Sequence, residues 1–402
     1  MAIYKKDIVP NSPIRSSSWL AHVVLALGGF AIGTTEFATM SFLPAFTAEL
    51  GVDAPAGGHV VSAYALGVVI GAPVLAVLGA RLERRLLLVL LQLWFATGNI
   101  LSAMAPSLQA LMILRFVTAI PHGAYFGIAV LAAANMVTEQ RRGNAVGRVL
   151  MGLALATVVG VPLANLLAQG LGWRSGFVAI GLVSLLVVGM LLRVMPIQMP
   201  SAGASALREL GALHRSQVWL TLGIGAVGFG GLFAVYTYLA STLHEVTKAT
   251  DGAIAIVLAV FGAGMACGNL AAPYLARFGV MRAAGLLLTW SALALALYPL
   301  TISHVWSIAL AVFAIGCGGG LGAILQMRLM EVAGDAQNLA ASLNHAAFNV
   351  ANALGPWLGG VALNMGLGWT STGWVGCALA LAGIAVWFVT LSVQRGAYPT
   401  AT

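Results

Sequence analysis

Residues 19–43 read WLAHVVLALGGFAIGTTEFATMSFL, an apolar run long enough to cross a bilayer as a helix. Its one carboxylate is Glu36, in the segment Gly33–Phe37. An ionised carboxylate in hydrocarbon costs at least about 2.5 kcal/mol, so such a residue must face a polar cavity, pair with a cation or carry a proton. Each of these outcomes indicates transport across a membrane.

The whole chain has the composition of a membrane protein. Of its 402 residues 60% are hydrophobic and only 7% are charged, whereas soluble domains carry roughly 25% charged residues. The net charge of +8 is spread over short loops, so we expect no nucleic acid as a partner. The three cysteines lie singly in apolar runs without metal-ligand spacing, so we expect no metal and no cofactor.

Apolar runs of about 20 residues recur along the chain and predict twelve transmembrane spans. We place them at 19–43, 58–79, 86–105, 108–135, 146–170, 174–194, 217–241, 252–276, 283–302, 304–327, 340–366 and 372–393. The break near Ser303, between the ninth and tenth spans, carries the weakest turn signal. The chain is therefore predicted to be an all-α membrane protein, and we expect it to work as a monomer in the lipid bilayer.

Basic residues predict the orientation. If the N-terminus is cytoplasmic, the inner segments hold sixteen Lys and Arg residues and the outer loops hold only Arg174 and Lys248. This positive-inside bias predicts that both termini are cytoplasmic. We expect no removable leader, and the first span is expected to act as the targeting signal.

Sequence similarity between the two halves predicts an internal repeat. Gly71–Arg81 at the end of the second span resembles Gly268–Arg277 at the end of the eighth, and Gly160–Trp173 resembles Gly355–Trp369. Parallel repeats of six helices place a substrate cavity at their interface. The predicted organisation is an N-terminal six-helix bundle (1–195), a polar cytoplasmic linker (196–216) and a C-terminal six-helix bundle (217–402), pseudo-symmetric around a central cavity.

Three groups of residues carry a resemblance to a known family. They are Gly33–Phe37 with Leu43-Pro44, Leu114-Arg115 with Pro121–Gly127, and Leu325–Asp335 with Ser342–Asn349. In these segments the chain resembles the major facilitator superfamily and, within it, the twelve-helix drug:proton antiporter branch, close to arabinose-efflux-like and chloramphenicol-resistance-like permeases. The resemblance implies a multi-pass protein of the bacterial inner (plasma) membrane that exports small molecules, with a link to multidrug resistance.

Two motifs of that family are altered here. In the loop after the second span, Ala80 stands where the family has Asp, so a latch that uses the aspartate is in doubt. In the fifth span Val161 separates Gly160 from Pro162, while an intact Gly-Pro-Trp-Leu-Gly-Gly occurs at Gly355–Gly360. The residues that we assign to conformational change are Gly71, Arg81, Arg84, Arg85, Gly160, Pro162, Gly355 and Pro356.

Helical periodicity brings charged residues to matching depths. Gly33 and Glu36 share one face of the first span, and Arg115 and His122 share one face of the fourth. Glu36 and Arg115 each lie about 7 to 9 Å to the outer side of the midplane, at ~1.5 Å per residue. We therefore predict proton coupling through Glu36 as the carrier, Arg115 as its charge partner and His122 as a relay. A static salt bridge and a histidine that only packs are the alternatives.

Polar and aromatic residues in two spans are predicted to line the cavity. In the eleventh span His345, Asn349 and Asn352 fall on one face with Pro356, where lipid contact would be costly. Side chains of this kind also join helices together. The cavity residues that we predict are Tyr125, Phe126, His345, Asn349 and Asn352.

These observations predict a proton-coupled efflux antiporter for small amphipathic drugs or metabolites, working by alternating access. Export of a sugar or of a purine nucleoside is the alternative. No nucleotide-binding loop or catalytic triad is evident in the sequence, so an enzyme is not expected. The small residues beside Pro162 and Pro356 would allow the halves to rock, unless Gly160 and Gly355 only permit packing inside one half.

Overall fold

A computed structural model describes residues 15–79, 82–138, 141–199, 214–333 and 337–397. Within these ranges every regular element is a helix. Apolar stretches of this length satisfy their backbone hydrogen bonds internally only as helices. The predicted all-α architecture is confirmed.

The N-terminal half contains six spans and one short helix. Its elements are α1 (Arg15–Ser41), α2 (Leu43–Leu50), α3 (Ala54–Gly79), α4 (Arg84–Ala103), α5 (Leu108–Asn135), α6 (Arg142–Leu155), a π-helical segment (Ala156–Gly160), α7 (Val161–Leu171) and α8 (Trp173–Val194). The fifth span consists of α6, the π-helical segment and α7 in continuous succession.

The C-terminal half contains the other six. Its elements are α9 (Ser216–Gly228), α10 (Gly230–Glu245), α11 (Asp251–Ala276), α12 (Val280–Leu297), a 3-10 turn (Tyr298–Leu300), α13 (Val305–Cys317), a 3-10 turn (Gly318–Gly320), α14 (Leu321–Val332), α15 (Gln337–Asn364) and α16 (Ser371–Ala397). The seventh span consists of α9 and α10, and the tenth of α13 and α14. The predicted break near Ser303 is present, since α13 begins at Val305.

Among the described residues, eleven helices are long and apolar enough to cross a membrane by length and composition. The eleventh span, α15, is 28 residues long but is not one of these eleven. Its polar residues, which include Asn344, His345, Asn349 and Asn352, reduce its mean hydropathy. They also lie against protein in this structure, which removes the cost of exposing them to lipid.

Two local features were not predicted from the sequence. Pro44 lies in the first turn of α2, a position where its missing N–H costs nothing, and Gly51 ends that helix with a φ of 66°. In the fifth span the π-helical segment ends at Gly160, two residues before Pro162. Such segments accommodate one extra residue within a helix and are frequent at functional sites.

Contacts inside the two halves repeat. A Cβ at Gly71 would overlap the Ile120 carbonyl oxygen, and a Cβ at Gly268 would overlap that of Cys317. Both glycines and both carbonyls are separated by 197 positions, from 71 to 268 and from 120 to 317. The second and fourth spans therefore approach each other as the eighth and tenth do, as the predicted repeat requires.

Indole hydrogen bonds follow the same repeat. Trp94 Nε1 donates to the Val117 carbonyl over 3.0 Å, and Trp290 Nε1 donates to the Ala314 carbonyl over 2.7 Å. The halves then meet most extensively along two helix pairs, the second span with the eleventh and the fifth with the eighth. The repeat relates the second span to the eighth and the fifth to the eleventh. Each of the two pairs is therefore the repeat equivalent of the other, and the interface is itself pseudo-symmetric.

The loop after the second span is held to the end of the sixth. Glu83 accepts hydrogen bonds from the backbone N–H groups of Arg85, Leu86 and Gln198 at 2.8, 2.9 and 2.9 Å. Partial burial acts to raise the pKa of the Glu83 carboxyl, but these donors hold it below its usual value. Glu83 therefore fixes the segment from which the linker starts.

Arg84 and Arg85 of this loop, both predicted to take part in conformational change, make different contacts. The Arg85 guanidinium donates to the Leu192 carbonyl, and the Arg84 backbone N–H donates to the Gln198 carbonyl over 3.0 Å. Ala80 and Arg81 lie outside the described residues, as does 200–213 of the predicted linker. The domain boundaries at 195 and 217 therefore stay a prediction.

Candidate functional site

Glu36 lies at the interface between the two halves. Its side chain is only 8% exposed, and its Oε1 accepts a hydrogen bond from Asn352 Nδ2 over 3.2 Å. Its Oε2 lies 3.9 Å from His122 Nε2. The carboxylate is thus held by the first, fourth and eleventh spans, and one of its two neighbours belongs to the opposite half.

Arg115 contacts the residue before Glu36 rather than Glu36 itself. Its Nη1 donates to Thr35 Oγ1 and Asn99 Oδ1 at 3.2 and 3.3 Å, and its Nη2 donates to the Thr35 carbonyl over 3.3 Å. The guanidinium lies over the Tyr64 ring, 4.2 Å from its centroid. No nitrogen of Arg115 lies within 4.0 Å of a Glu36 oxygen. In this conformation the predicted partners are neighbours that form no ion pair.

The difference follows from helix geometry. Successive side chains on a helix point about 100° apart, so Thr35 faces the interior of the N-terminal half when Glu36 faces the C-terminal half. Arg115 is fully buried and can use the oxygens of Thr35 and Asn99 without reaching the interface. The predicted depth was consistent with this arrangement, but depth does not fix the direction in which a side chain points.

His122 connects the two charged groups through Tyr64. The Tyr64 hydroxyl lies 3.0 Å from His122 Nδ1, and the other ring nitrogen faces Glu36. If the hydroxyl donates to Nδ1, the ring carries its proton on Nε2, on the side of the carboxylate. A row of polar groups therefore runs from Arg115 past Tyr64 and His122 to Glu36.

The predicted cavity residues of the fourth span divide between two roles. The Phe126 ring stacks on His345 of the opposite half, with centroids 5.6 Å apart and an interplanar angle of 10°. Tyr125 instead donates to the Leu25 carbonyl over 3.0 Å and is fully buried inside its own half. The structure thus places Phe126 and His345 at the interface and Tyr125 in the packing between the first and fourth spans.

The polar face of the eleventh span is only partly satisfied. Asn352 reaches Glu36, whereas Asn349 Nδ2 donates to the His345 carbonyl of its own helix over 3.0 Å. The carbonyl oxygens of both amide side chains are buried without a hydrogen-bond partner. Free acceptors at this depth are available to a bound molecule or to water.

Aromatic residues close the interface beside Glu36, and they are not among the site residues predicted from the sequence. Phe37 stacks on Phe233 at 6.1 Å and meets Tyr236 edge-on at 5.8 Å. Tyr236 stacks on Phe261 at 4.0 Å, and its hydroxyl is buried without a partner. Thr35 and Asn99 were also missed, although a buried asparagine within a span is itself a signal of function.

Gly160 and Gly355, which were predicted to take part in conformational change, contact residues of their own halves. A Cβ at Gly160 would overlap Thr34 Oγ1 of the first span, and one at Gly355 would overlap the Gly230 carbonyl oxygen of the seventh. The close approach between the halves involves Gly262, where a Cβ would overlap the Thr157 carbonyl oxygen in the π-helical segment. Pro356 contributes its carbonyl, which accepts from the Tyr238 hydroxyl at 2.8 Å.

The apolar helices and the polar interface between two repeated bundles define a multi-pass membrane transporter. The model of the Major Facilitator Superfamily matches residues 25–332 of the chain. The protein therefore belongs to this superfamily. It is a transporter and not an enzyme.

Named relatives of the whole chain include transporters. The inner membrane transport protein YdhP of Escherichia coli (strain K12) is 36% identical over 382 residues, which are 93% of this chain and 96% of YdhP. The chloramphenicol resistance protein of Streptomyces lividans is 33% identical over 375 residues, 89% of this chain and 94% of that protein. These similarities support a place in the inner membrane.

A solved structure shows the same fold at low sequence identity. The nucleoside transporter NupG matches with a TM-score of 0.73 at 14% identity and covers 94% of this chain and 99% of its own. At this identity the match establishes the fold alone.

Proposed function

We propose that the protein is a proton-coupled antiporter that exports small amphipathic molecules by alternating access. The observation that carries this proposal is the position of Glu36, a buried carboxylate whose hydrogen bond to Asn352 joins the two halves. An ionised carboxylate there is costly unless it is paired or takes up a proton. Its protonation and its contact with the opposite half are therefore linked.

The linkage gives a mechanism for exchange. When the halves separate on one side, Glu36 loses Asn352 and meets water, so it can take up or release a proton. The amides of Asn349 and Asn352 and the ring of His345 then become free to contact cargo. Cargo and proton compete for the same interface. Each conformational change therefore moves either the cargo or the proton across the membrane.

Arg115 and His122 have supporting roles in this proposal. Arg115 holds the backbone of Thr35 and so fixes the direction of Glu36. His122 lies between Tyr64 and Glu36 and can pass a proton to the carboxylate. Because the cation does not touch Glu36, the carboxylate can change its charge without breaking the hydrogen bonds of Arg115.

The test uses purified protein in liposomes that contain a pH-sensitive dye. A cargo gradient should drive proton movement in the opposite direction, and Glu36→Gln should abolish both this movement and pH-driven export. The amide mimics the neutral acid but cannot release a proton. Glu49→Gln, at an exposed carboxylate, is the matched control and should retain both activities. Wild-type coupling in Glu36→Gln would exclude Glu36 as the carrier.

A compound panel decides the cargo class in the same liposomes. It contains amphipathic drugs, arabinose and a purine nucleoside. We expect proton movement with the amphipathic compounds. Movement with arabinose or the nucleoside alone would instead support one of the alternatives that the sequence left open.

The orientation and the monomeric state belong to the same proposal. The bias of basic residues supports cytoplasmic termini, so the end of the bundle that carries α2 would be the outer side. In a cysteine-free background, Lys248→Cys should react with an impermeant maleimide in intact cells, whereas Arg282→Cys should react only after lysis. The reverse labelling pattern would show that the protein has the opposite orientation in the membrane. Light scattering in detergent should give the mass of one chain.

A further inference from the structure

A cavity of about 600 Å³ opens between the halves at the end of the bundle that carries α2. We call it the α2-end cavity. Its polar lining includes Thr47, Asn165, Gln169, Ser241, Glu245 and Asp251. Ser41 also lines it and follows Glu36 by five residues, about 7 Å along the helix. The cavity is thus separate from the Glu36 site but close to it, and its volume is in the range of small-molecule sites.

Two deeply buried side chains of this cavity have polar atoms without partners. Asn165 is 2% exposed and Ser241 is 4% exposed, and neither Asn165 Oδ1 nor Ser241 Oγ has a hydrogen-bond partner. The Asn165 orientation is fixed, because its Nδ2 donates to the Ser41 carbonyl over 3.2 Å and a carbonyl accepts only from the amide nitrogen. Its oxygen is therefore a true unused acceptor.

Carboxylates predominate among the titratable lining residues, since His244 is the only basic side chain among those that the structure describes there. Glu245 and Asp251 contribute carboxylates, and among the described lining residues there is no Lys or Arg. Glu245 is partly compensated by Lys248 at 3.7 Å and by His244 at 3.0 Å. Asp251, at the start of α11, adds a second negative charge on the opposite side of the seventh-to-eighth loop. The cavity therefore combines hydrogen-bond acceptors with negative charge.

A metal ion does not suit this arrangement. Among the described residues no group of three or more His, Cys, Asp or Glu side chains converges as a metal site would. The acceptors are instead spread over a space of molecular size. A larger cation that donates hydrogen bonds from one end and fills the apolar part with the rest of the molecule fits the lining better.

We propose that the α2-end cavity is a second binding site of this transporter, selective for an organic ammonium ion. Asn165 and Ser241 accept hydrogen bonds from the ammonium group, and Asp251 and Glu245 supply the charge. The inference deepens the proposed function, on which its role in export rests, by placing a cationic cargo at a station between the Glu36 site and the outer side. Binding itself does not depend on proton coupling.

The experiment measures binding of dansylcadaverine, a fluorescent primary ammonium, to the purified full chain in lipid nanodiscs. Its N-acetyl derivative lacks the charge and serves as the matched probe. We expect the derivative to bind at least about tenfold more weakly, because hydrogen bonds to charged groups are the stronger ones. Asp251→Asn should weaken dansylcadaverine binding by a similar factor, and Asn165→Ala and Ser241→Ala by about threefold or more.

Two controls locate the site. Asp53→Asn removes a charge at the same end from a residue that caps α3 through Ala56 and does not line the cavity, so it should change binding by less than about twofold. Glu49→Gln removes a second exposed carboxylate of this end that does not line the cavity, and it should also leave binding within about twofold. Thermal unfolding of each variant checks the fold, and Ser241→Ala should be well tolerated because it removes an unpartnered hydroxyl.

Each outcome decides the proposal. Equal binding of the two probes, or unchanged binding in both Asp251→Asn and Ser241→Ala, overturns it. Loss of binding in Asp53→Asn or Glu49→Gln would place the cation outside the cavity and also overturn it. Intact proton coupling without dansylcadaverine binding would overturn the second site alone. If the wild-type protein binds dansylcadaverine but shows no proton coupling, the second site is supported and the proposed antiport is rejected.

Discussion

The two halves share a backbone arrangement but differ in what they bury. Arg115, Tyr64 and His122 form the polar row of the N-terminal half, and all three are buried. At the repeat spacing of 197 positions, the C-terminal half carries Val312, Phe261 and Gly319 instead. Asn99, at the spacing of 196 that relates Trp94 to Trp290, corresponds to Leu295.

This difference separates the tasks of the halves. Val312, Phe261 and Leu295 are buried in an apolar core, so the scaffold needs no charge at these positions in order to fold. The polar row of the N-terminal half costs desolvation, and under the proposed function proton coupling accounts for its presence. We infer that proton coupling is confined to the N-terminal half, while the C-terminal half contributes uncharged contacts such as Asn352.

The largest expected effect on transport comes from comparing Arg115 with Val312, which occupies the equivalent position in the C-terminal half. Arg115→Ala should lose at least about tenfold in transport per folded molecule, or 1.4 kcal/mol, because Thr35 and Glu36 are no longer held. Val312→Ala should leave transport within about twofold and cost roughly 1 to 3 kcal/mol of unfolding free energy, as for other large-to-small core changes. Initial rates normalised to folded protein measure the first effect, and denaturation in detergent measures the second.

Arg115→Lys sharpens the same comparison. It keeps the charge but loses the planar fork, in which Nη1 donates to Thr35 Oγ1 and Asn99 Oδ1 and Nη2 donates to the Thr35 carbonyl, so transport should recover only in part. Full activity in Arg115→Lys would mean that charge alone matters. Normal transport in Arg115→Ala would remove the distinction between the halves.

The second prediction compares the glycines at related places in the fifth and eleventh spans. Because a Cβ at either glycine would overlap residues of its own half, Gly160→Leu and Gly355→Leu should first lower thermal stability. Ligand affinity kept within about tenfold, or 1.4 kcal/mol, together with loss of most flux in a stable protein would instead show that the halves rock on these surfaces. Gly160 faces side chains and Gly355 faces backbone, so Gly355→Leu should be the less stable. Affinity, flux and thermal stability are measured on one preparation.

Gly262 lies at a contact between the halves and serves as the comparison for Gly160 and Gly355. Gly262→Ala would press against the Thr157 carbonyl of the opposite half and should disfavour this conformation without unfolding either bundle. If Gly160→Leu and Gly355→Leu give unstable protein with normal turnover per folded molecule, these two glycines only pack their own halves. Movement then depends on contacts such as Gly262.

The third prediction separates two asparagines of the C-terminal half. Asn352→Ala removes the donor to Glu36, and a hydrogen bond to a charged group is worth about 1.5 to 3 kcal/mol, so transport should fall by about tenfold. Asn349→Ala removes a bond within the same helix and should cost less than about threefold. Transport rates at one pH test this order. Equal losses would assign both residues to cargo contact.

The smallest effect concerns an ion pair at the α2 end of the N-terminal half. The hydrogen bond from Arg174 lowers the pKa of the exposed Glu49 carboxyl from its ordinary value of 4.5, and Trp173 Nε1 donates to it at 2.7 Å. A lowered pKa gives stability that is present above 4.5 and is lost as the pH falls through the folded value. The second half has Thr370 after Trp369 and lacks the cation.

Arg174→Ala should therefore reduce the unfolding free energy near neutral pH by no more than about 1 kcal/mol, because solvent screens an exposed pair. The difference in stability should shrink toward pH 3 to what the hydrogen bond from Arg174 Nη2 to the Ala105 carbonyl contributes, since that bond does not depend on the charge of Glu49. Thermal unfolding from pH 3 to 7 measures the difference. A gap that widens toward low pH would contradict the assigned direction of the pKa.

Much of the fold could be predicted from residues that are close in sequence. The lengths of apolar runs predicted the spans, including the polar eleventh span, whose helix is observed at Gln337–Asn364 against 340–366 expected. The similarity of Gly71 and Gly268 gave the repeat. The π-helical segment could not be predicted, because no local sequence pattern distinguishes it from an α-helix. Its Thr157 carbonyl packs against Gly262 of the other half, a contact that only the tertiary structure shows.

The sequence by itself determined that the chain crosses a membrane, that it repeats, and that Glu36 needs a polar neighbour, because hydrophobic length and the cost of a buried charge are local properties. Only the tertiary structure decided which neighbour Glu36 has. A rotation of 100° between adjacent residues turns Thr35 toward Arg115 and Glu36 toward Asn352, a residue 316 positions away. Such a contact depends on the packing of all the spans between them.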